Sequence, residues 1–163
     1  MEAPVDNALR LSAASGGVGV SPTTHQVERG VPFHSAAPLS ASLVRVLVVD
    51  DEPCVAELLH DALIHLGYAV RLAANGAQAL EIAASYHPQV VLLDLTLPEM
   101  PGDVVLERLR QVDPHLPVIV MTGDANPERA RAMLAQGAFD YIAKPFDLTR
   151  LARVLEAAVM SRG

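Results

Sequence analysis

The chain has 163 residues, with 12 Lys plus Arg against 19 Asp plus Glu and a formal net charge of −7, a balance that opposes nucleic-acid binding through phosphate contacts and a polybasic membrane anchor. Hydrophobic residues make up 51 % and charged residues 19 %, enough apolar material for a core and too little charge for wholesale disorder. A single cysteine, Cys54, excludes an intramolecular disulfide or a Cys-cluster metal site. The acidic opening MEAPVDNALR shows no secretory signal and no run approaches the roughly 18 apolar residues of a membrane span, so a cytoplasmic location is expected.

Residues 1–42 stand apart. Ala, Ser, Gly and Pro fill 21 of these 42 positions, and Val18, Val20, Val31 and Phe33 keep no helical period. Such a stretch buries little surface against its ordering entropy, so it reads as a flexible N-terminal extension ahead of a domain over 43–163.

From Leu43 onward the pattern is regular. The apolar run VRVLVV (44–49) reads as a strand that ends in Asp50-Asp51. A helix follows, with Pro53 suited to its first turn, Gly67 to its stop, and Leu58, Leu59, Ala62 and Leu66 at helical spacing. Residues 69–73 make a short strand, and Asn75-Gly76 turns the chain into a helix over about 77–85. The run QVVLLD ends a third strand at Asp94, before the Pro-punctuated loop LTLPEMPG and a helix over about 103–112. PVIVMT ends a fourth strand at Thr122; a helix over 127–136 closes at Gly137, and residues 139–143 and 147–160 supply the last strand and helix.

Five strands thus alternate with five helices, and runs apolar on both faces of the sheet indicate parallel strands covered by helices. The expected fold is an open, doubly wound α/β domain with a five-stranded parallel sheet in the flavodoxin-like order 2-1-3-4-5. Ligands in such sheets sit outside the carboxyl ends of the strands. There stand Asp50 with Asp51, Asp94, Thr122 and Lys144, at the polar ends of the apolar runs. Three carboxylates brought together repel unless a cation neutralises them, and all-oxygen ligation with open positions suits Mg2+. Thr122 offers a hydroxyl and Lys144 a mobile point charge for phosphoryl oxygens, leaving Asp94 as the carboxylate nucleophile. Lys144 is also the only lysine in the chain. Taken singly, each residue has a structural reading as a helix cap or a turn; their joint placement at the strand ends favours a phosphoryl site.

Through the segments VLVVDDE, VVLLDLTLPEMPG, VIVMTGD and GAFDYIAKPF, residues 44–161 resemble the receiver domain of two-component response regulators, of the single-domain chemotaxis type. The resemblance implies that Asp94 is the phosphoacceptor, and that Asp51, Asp94 and the backbone carbonyl of Thr96 ligate Mg2+ with help from Asp50. It implies that Thr122 and Lys144 bind the phosphoryl group, that Tyr141 with Thr122 forms the switch, and that the Lys144-Pro145 peptide is cis. Thr96 and Asp124 flank the site where family members tune the lifetime of the phosphate. The implied partners are a sensor histidine kinase or histidine phosphotransfer protein, and an effector on the surface of the fourth helix, fifth strand and fifth helix, with neither nucleic acid nor membrane involved. The protein would then have no substrate apart from catalysing its own phosphorylation and dephosphorylation. The dimer pairing of the winged-helix subfamily is not expected, because its acidic and basic positions align with Arg150 and Val154.

Since the chain stops at Gly163, a stand-alone regulator is expected; the runner-up is the receiver module of a hybrid or split histidine kinase. A haloacid-dehalogenase-type phosphohydrolase also places an Asp nucleophile after a strand, but its acidic metal pair follows the lysine, whereas Asp50-Asp51 precede every other site residue. A degenerate receiver that only docks would lack an acidic residue, the Thr or the Lys, and all are present. The six histidines (25, 34, 60, 65, 87 and 115) show no metal-ligand spacing.

Overall fold

A computed structural model describes residues 43–123 and 126–163. The expectations placed on residues 1–42 and on Asp124 fall outside them. The chain order is β1 (Arg45–Val49), α1 (Pro53–His65), β2 (Ala69–Ala73), α2 (Gly76–Tyr86), β3 (Val90–Asp94), α3 (Gly102–Val112), β4 (Val118–Thr122), α4 (Pro127–Ala135), β5 (Asp140–Ala143) and α5 (Leu148–Ser161). All strand pairs are parallel and the sheet order is β2-β1-β3-β4-β5, as the apolar runs predict.

The alternation of side chains along each strand divides the core in two. Leu47 and Val49 of β1, Val91 and Leu93 of β3, and Val118 and Val120 of β4 meet α2, α3 and α4 through Ala79, Ala83, Val105, Leu106, Leu109 and Met133. Val46, Val48, Val90, Leu92, Ile119 and Met121 point the other way, onto Leu59 and Leu63 of α1 and Leu151, Leu155 and Ala158 of α5. β3 and β4 are buried along their whole length, which is why their sequences are near-continuous apolar runs rather than alternating ones.

The helix ends follow local chemistry. Asn75, Asn126 and Asp147 cap α2, α4 and α5, each accepting a backbone N–H of the first turn on its side chain. Gly67 and Gly137 lie at φ +86° and +97°, just past the C-caps of α1 and α4. There the N–H of Tyr68 returns to the carbonyl of Leu63 and that of Ala138 to Met133, the six-to-one closure that a left-handed residue permits.

The helical spacing of Leu58, Leu59, Ala62 and Leu66 does not by itself say which of them face the core. Leu58 and Leu66 do not belong to the core face of α1: they are 54 % and 53 % exposed, while Ala56, Leu59 and Leu63 are buried. Leu58, Ala62 and Leu66 recur every four residues and Leu59 and Leu63 do the same one position on, so periodicity alone fits either stripe. Among the described residues, no helix is long and apolar enough to cross a membrane.

Candidate functional site

The site is built by the last rungs of the sheet. Asp50 follows β1 and donates its N–H to the carbonyl of Ala73 at the end of β2, 3.0 Å away. Asp94 closes β3 opposite Met121, and the next residue, Leu95, donates to the carbonyl of Met121. Thr122 closes β4 opposite Ala143, and the N–H of Lys144 reaches the Thr122 carbonyl at 2.7 Å. Four chain segments therefore deliver their first polar residues to one edge of the sheet. Asp50, Asp94 and Thr122 are the buried polar residues among those described, against a wholly apolar core.

Burial of two carboxylates side by side demands compensation, since an unpaired buried charge costs several kcal/mol. The compensation is Lys144. Its Nζ donates to Asp50 Oδ2 at 2.8 Å and to Asp94 Oδ2 at 2.9 Å. The other oxygen of each carboxylate accepts a backbone N–H two residues on: Glu52 to Asp50 Oδ1 at 2.9 Å, and Thr96 to Asp94 Oδ1 at 3.0 Å. No buried side-chain N or O of the described residues lacks a hydrogen-bond partner.

The electrostatics follow from this packing. Burial pushes the Asp50 carboxyl above its usual 3.8, an effect that Asp94's charge adds to and that Lys144 and the Glu52 N–H oppose. For Lys144, burial works against the ammonium, but the hydrogen bonds and charges of Asp50 and Asp94 outweigh it, so its value lies above the usual 10.5.

Asp51, which is exposed, completes the acidic group: Asp50, Asp51 and Asp94 each offer a carboxylate oxygen within 4.8 Å of the others. Three hard anionic oxygens at this spacing, one of them open to solvent, form a donor set that suits a hard divalent cation. Two hollows flank the group. One, of 260 Å3, is lined by Asp50, Asp51, Ala56 and Gln78 among others; the other, of 450 Å3, lies beside Lys144 and is lined by Glu52, Val55, Leu58, Gly123, Pro145 and Phe146.

Asp50, Asp51, Asp94, Thr122 and Lys144 thus stand together at the strand ends. Thr96 is exposed and joins through its backbone. Tyr141 stands further along β5, paired in register with Val120, half-buried and packed against the cluster under α2, α3 and α4. The Lys144-Pro145 peptide is cis. Sequence reasoning missed Glu52, whose Oε1 lies 3.5 Å from Lys144 Nζ; the third acid of the Asp50-Asp51-Glu52 run was the available signal.

Comparisons with known proteins identify the family and the fold. The family model described as the response regulator receiver domain matches residues 46–156. The regulatory protein AtoC of Escherichia coli (strain K12) is 43 % identical over 115 residues, covering 71 % of this chain and 25 % of AtoC. The probable transcriptional regulatory protein TcrX of Mycobacterium tuberculosis is 40 % identical over 120 residues, 74 % of this chain and 51 % of TcrX. The chain therefore spans from a quarter to about half the length of these relatives. Among solved structures, a CheY-like receiver domain protein from Methanospirillum hungatei JF-1 superposes with a TM-score of 0.71 at 30 % identity, over 74 % of this chain and 97 % of that one. The chemotaxis protein CheY4 of Vibrio cholerae gives 0.69 at 28 % identity, over 72 % and 99 %. Fold, site and relatives converge, and the chain belongs to the response regulator receiver domain family.

Proposed function

We propose that this receiver takes a phosphoryl group onto Asp94 from the phosphohistidine of a sensor histidine kinase or histidine phosphotransfer protein, and signals by changing the surface it offers to a partner. The observation that carries the reading is the Lys144 bridge: one ammonium shared between Asp50 and Asp94, with Asp51 close by and Thr122 buried at the end of the next strand.

In the proposed transfer, Asp94 Oδ2 attacks phosphorus in line; the P–N bond of the donor breaks and its electron pair stays on the imidazole nitrogen. Asp94 is presented for this by the Thr96 N–H, which pins Oδ1, while Oδ2 accepts from Lys144. Lys144 exchanges its bond to Asp94 Oδ2 for one to a phosphoryl oxygen while keeping Asp50, and the Thr122 hydroxyl takes a second phosphoryl oxygen. A Mg2+ ion held by Asp50, Asp51, Asp94 and the carbonyl of Thr96 would supply charge neutralisation for the transferring group. Hydrolysis of the acyl phosphate by water returns the Asp94 carboxylate and inorganic phosphate.

The signal follows from the new charge. Phosphorylation replaces the single negative charge of the Asp94 carboxylate with a phosphoryl group of about −1.5 to −2, carried further out on three acceptor oxygens, which draws Thr122 inward at the end of β4. Tyr141, half-buried on the neighbouring β5, turns into the space released. The surface of α4, β5 and α5 is then presented differently to an effector protein.

The test is the intact mass of the protein after incubation with Mg2+ and acetyl phosphate. One added phosphoryl group is expected in the wild type, absent with EDTA and absent in Asp94→Asn. An unmodified, folded wild type that a panel of histidine kinases also fails to phosphorylate would overturn the reading in favour of a docking module.

A further inference from the structure

We propose that Glu52 is a specificity-determining residue for the phosphodonor, a fixed negative charge at the mouth of the site that selects against free, highly charged donors. The inference rests on Asp94 being the phosphoacceptor and concerns what is allowed to reach it.

Three observations carry it. Glu52 occupies the N-cap of α1, yet its side chain caps no backbone N–H, so local structure does not explain the carboxylate. It is 63 % exposed, and its Oε1 lies 3.5 Å from the Lys144 Nζ that also holds Asp50 and Asp94. Finally, it lines the open hollow that runs from solvent to Lys144, together with Gly123, Pro145 and Phe146. Among the described residues, nothing lies within 4 Å of where a Gly123 side chain would begin, so the hollow is sterically open at that residue.

Among the described residues, Lys144 therefore faces the carboxylates of Asp50, Glu52 and Asp94, and Asp51 lies beside two of them. Asp50, Asp51 and Asp94 form the group that can hold a cation; Glu52 is outside that group and acts on Lys144 from the solvent side. An incoming phosphoryl group must take Lys144 over, and Glu52 competes with it for the same ammonium while repelling the donor's charge. The repulsion is steepest for a free dianion and weaker for a donor whose leaving nitrogen carries a proton. A protein donor with positive charge near its phosphohistidine would offset it.

The experiment measures initial rates of Asp94 phosphorylation at saturating Mg2+ for the wild type, Glu52→Gln and Glu52→Lys, with two donors. Acetyl phosphate is a dianion, transferring its phosphoryl group to Asp94 as the bond to acetate breaks and acetate leaves with the electron pair. Phosphoramidate has a protonated nitrogen and a net single negative charge, and releases ammonia. Removing one unit charge at this range is expected to raise the second-order rate about 5-fold for acetyl phosphate and about 2-fold for phosphoramidate. Glu52→Lys should go further in the same direction, and high salt should narrow the differences. Because the same charge attracts cations, Glu52→Gln should weaken Mg2+ binding about 2-fold in a calorimetric titration with the metal alone. A phosphorylated wild type whose donor ratio is unchanged in Glu52→Gln would overturn this inference alone. A wild type and variant both unreactive towards either donor would overturn the phosphoacceptor reading, and this inference with it.

Discussion

Asp50 and Asp94 are held as twins: each gives one carboxylate oxygen to the backbone N–H two residues on and the other to the same Lys144 ammonium, at 2.8 and 2.9 Å. The two residues differ in their place in the sheet. Asp94 closes β3 at the centre of the sheet, next to Thr122 on β4, whereas Asp50 follows β1 beside Asp51. A shared cation makes the pair exchangeable in one direction: whatever relieves Lys144 of Asp94 leaves it anchored to Asp50.

That sharing is measurable directly, because Lys144 is the chain's only lysine and a lysine-specific isotope label gives one signal. The group's value is raised above 10.5. A raised value in the folded state means that the ion pairs contribute stability fully below 10.5, and that this contribution is lost as pH rises through the folded value. Tyr68 and Tyr86, raised by burial above their usual 10.0, also titrate on the alkaline side, so a stability curve alone mixes several groups. The expected result is a single lysine resonance titrating above 10.5 in the wild type and moving back towards 10.5 in Asp94→Asn. An identical midpoint in both proteins would mean that the bridge is absent in solution.

How far the sequence foretells these features depends on distance along the chain. The strands were legible because β3 and β4 are buried on both faces and leave unbroken apolar runs, and the site was legible because its residues are the polar ends of those runs. The bridge itself was not. Lys144 is 94 residues from Asp50 and 50 from Asp94, and nothing local dictates that one ammonium reaches both. The facing of α1 was ambiguous for the opposite reason: Leu58 and Leu59 are adjacent and chemically identical, and only tertiary packing decides that Leu59 goes in.

Metal binding should appear as stability. Asp51 is the exposed member of the acidic trio, so Asp51→Asn removes a ligand and relieves repulsion without opening a cavity. A ligand that binds only the folded state adds about 2.7 kcal/mol at a hundred times its dissociation constant. Urea unfolding with and without saturating MgCl2 should therefore show a wild type strongly stabilised by the metal. Asp51→Asn should be no less stable than the wild type without metal and gain little from it. An equal gain in both would remove Asp51 from the metal site.

Two glycines near the site should respond in opposite ways. A Cβ on Gly102 would sit 2.6 Å from the Leu95 Cα and 2.8 Å from the Asp94 carbonyl oxygen, both backbone atoms that cannot swing aside. Gly102→Ala is expected to cost about 1–3 kcal/mol, the usual range for overpacking. It should also slow phosphorylation, because the strain falls on the segment carrying Asp94. Gly123→Ala meets nothing within 4 Å and should change stability by less than about 0.5 kcal/mol. Chemical denaturation of the two variants side by side checks the contrast, and equal losses would refute it.

The neighbouring leucines of α1 separate folding from partner recognition. Leu59 is fully buried against β1, β3 and α5, so Leu59→Ala leaves a cavity and is expected to cost about 2–5 kcal/mol. Leu58 is 54 % exposed and lines the hollow beside Lys144 with Val55, Pro145 and Phe146, so Leu58→Ala should leave stability within about 0.5 kcal/mol of the wild type. Its position matters for a large donor and not for a small one. On the proposed transfer, a donor protein that reaches Asp94 from the side of this hollow would cover the apolar rim, whereas acetyl phosphate would pass it. Leu58→Ala is therefore expected to slow transfer from a phosphorylated histidine kinase several-fold while leaving the acetyl phosphate rate unchanged. Equal slowing with both donors would place the effect inside the site, and no slowing with the kinase would mean that the donor protein approaches from another side.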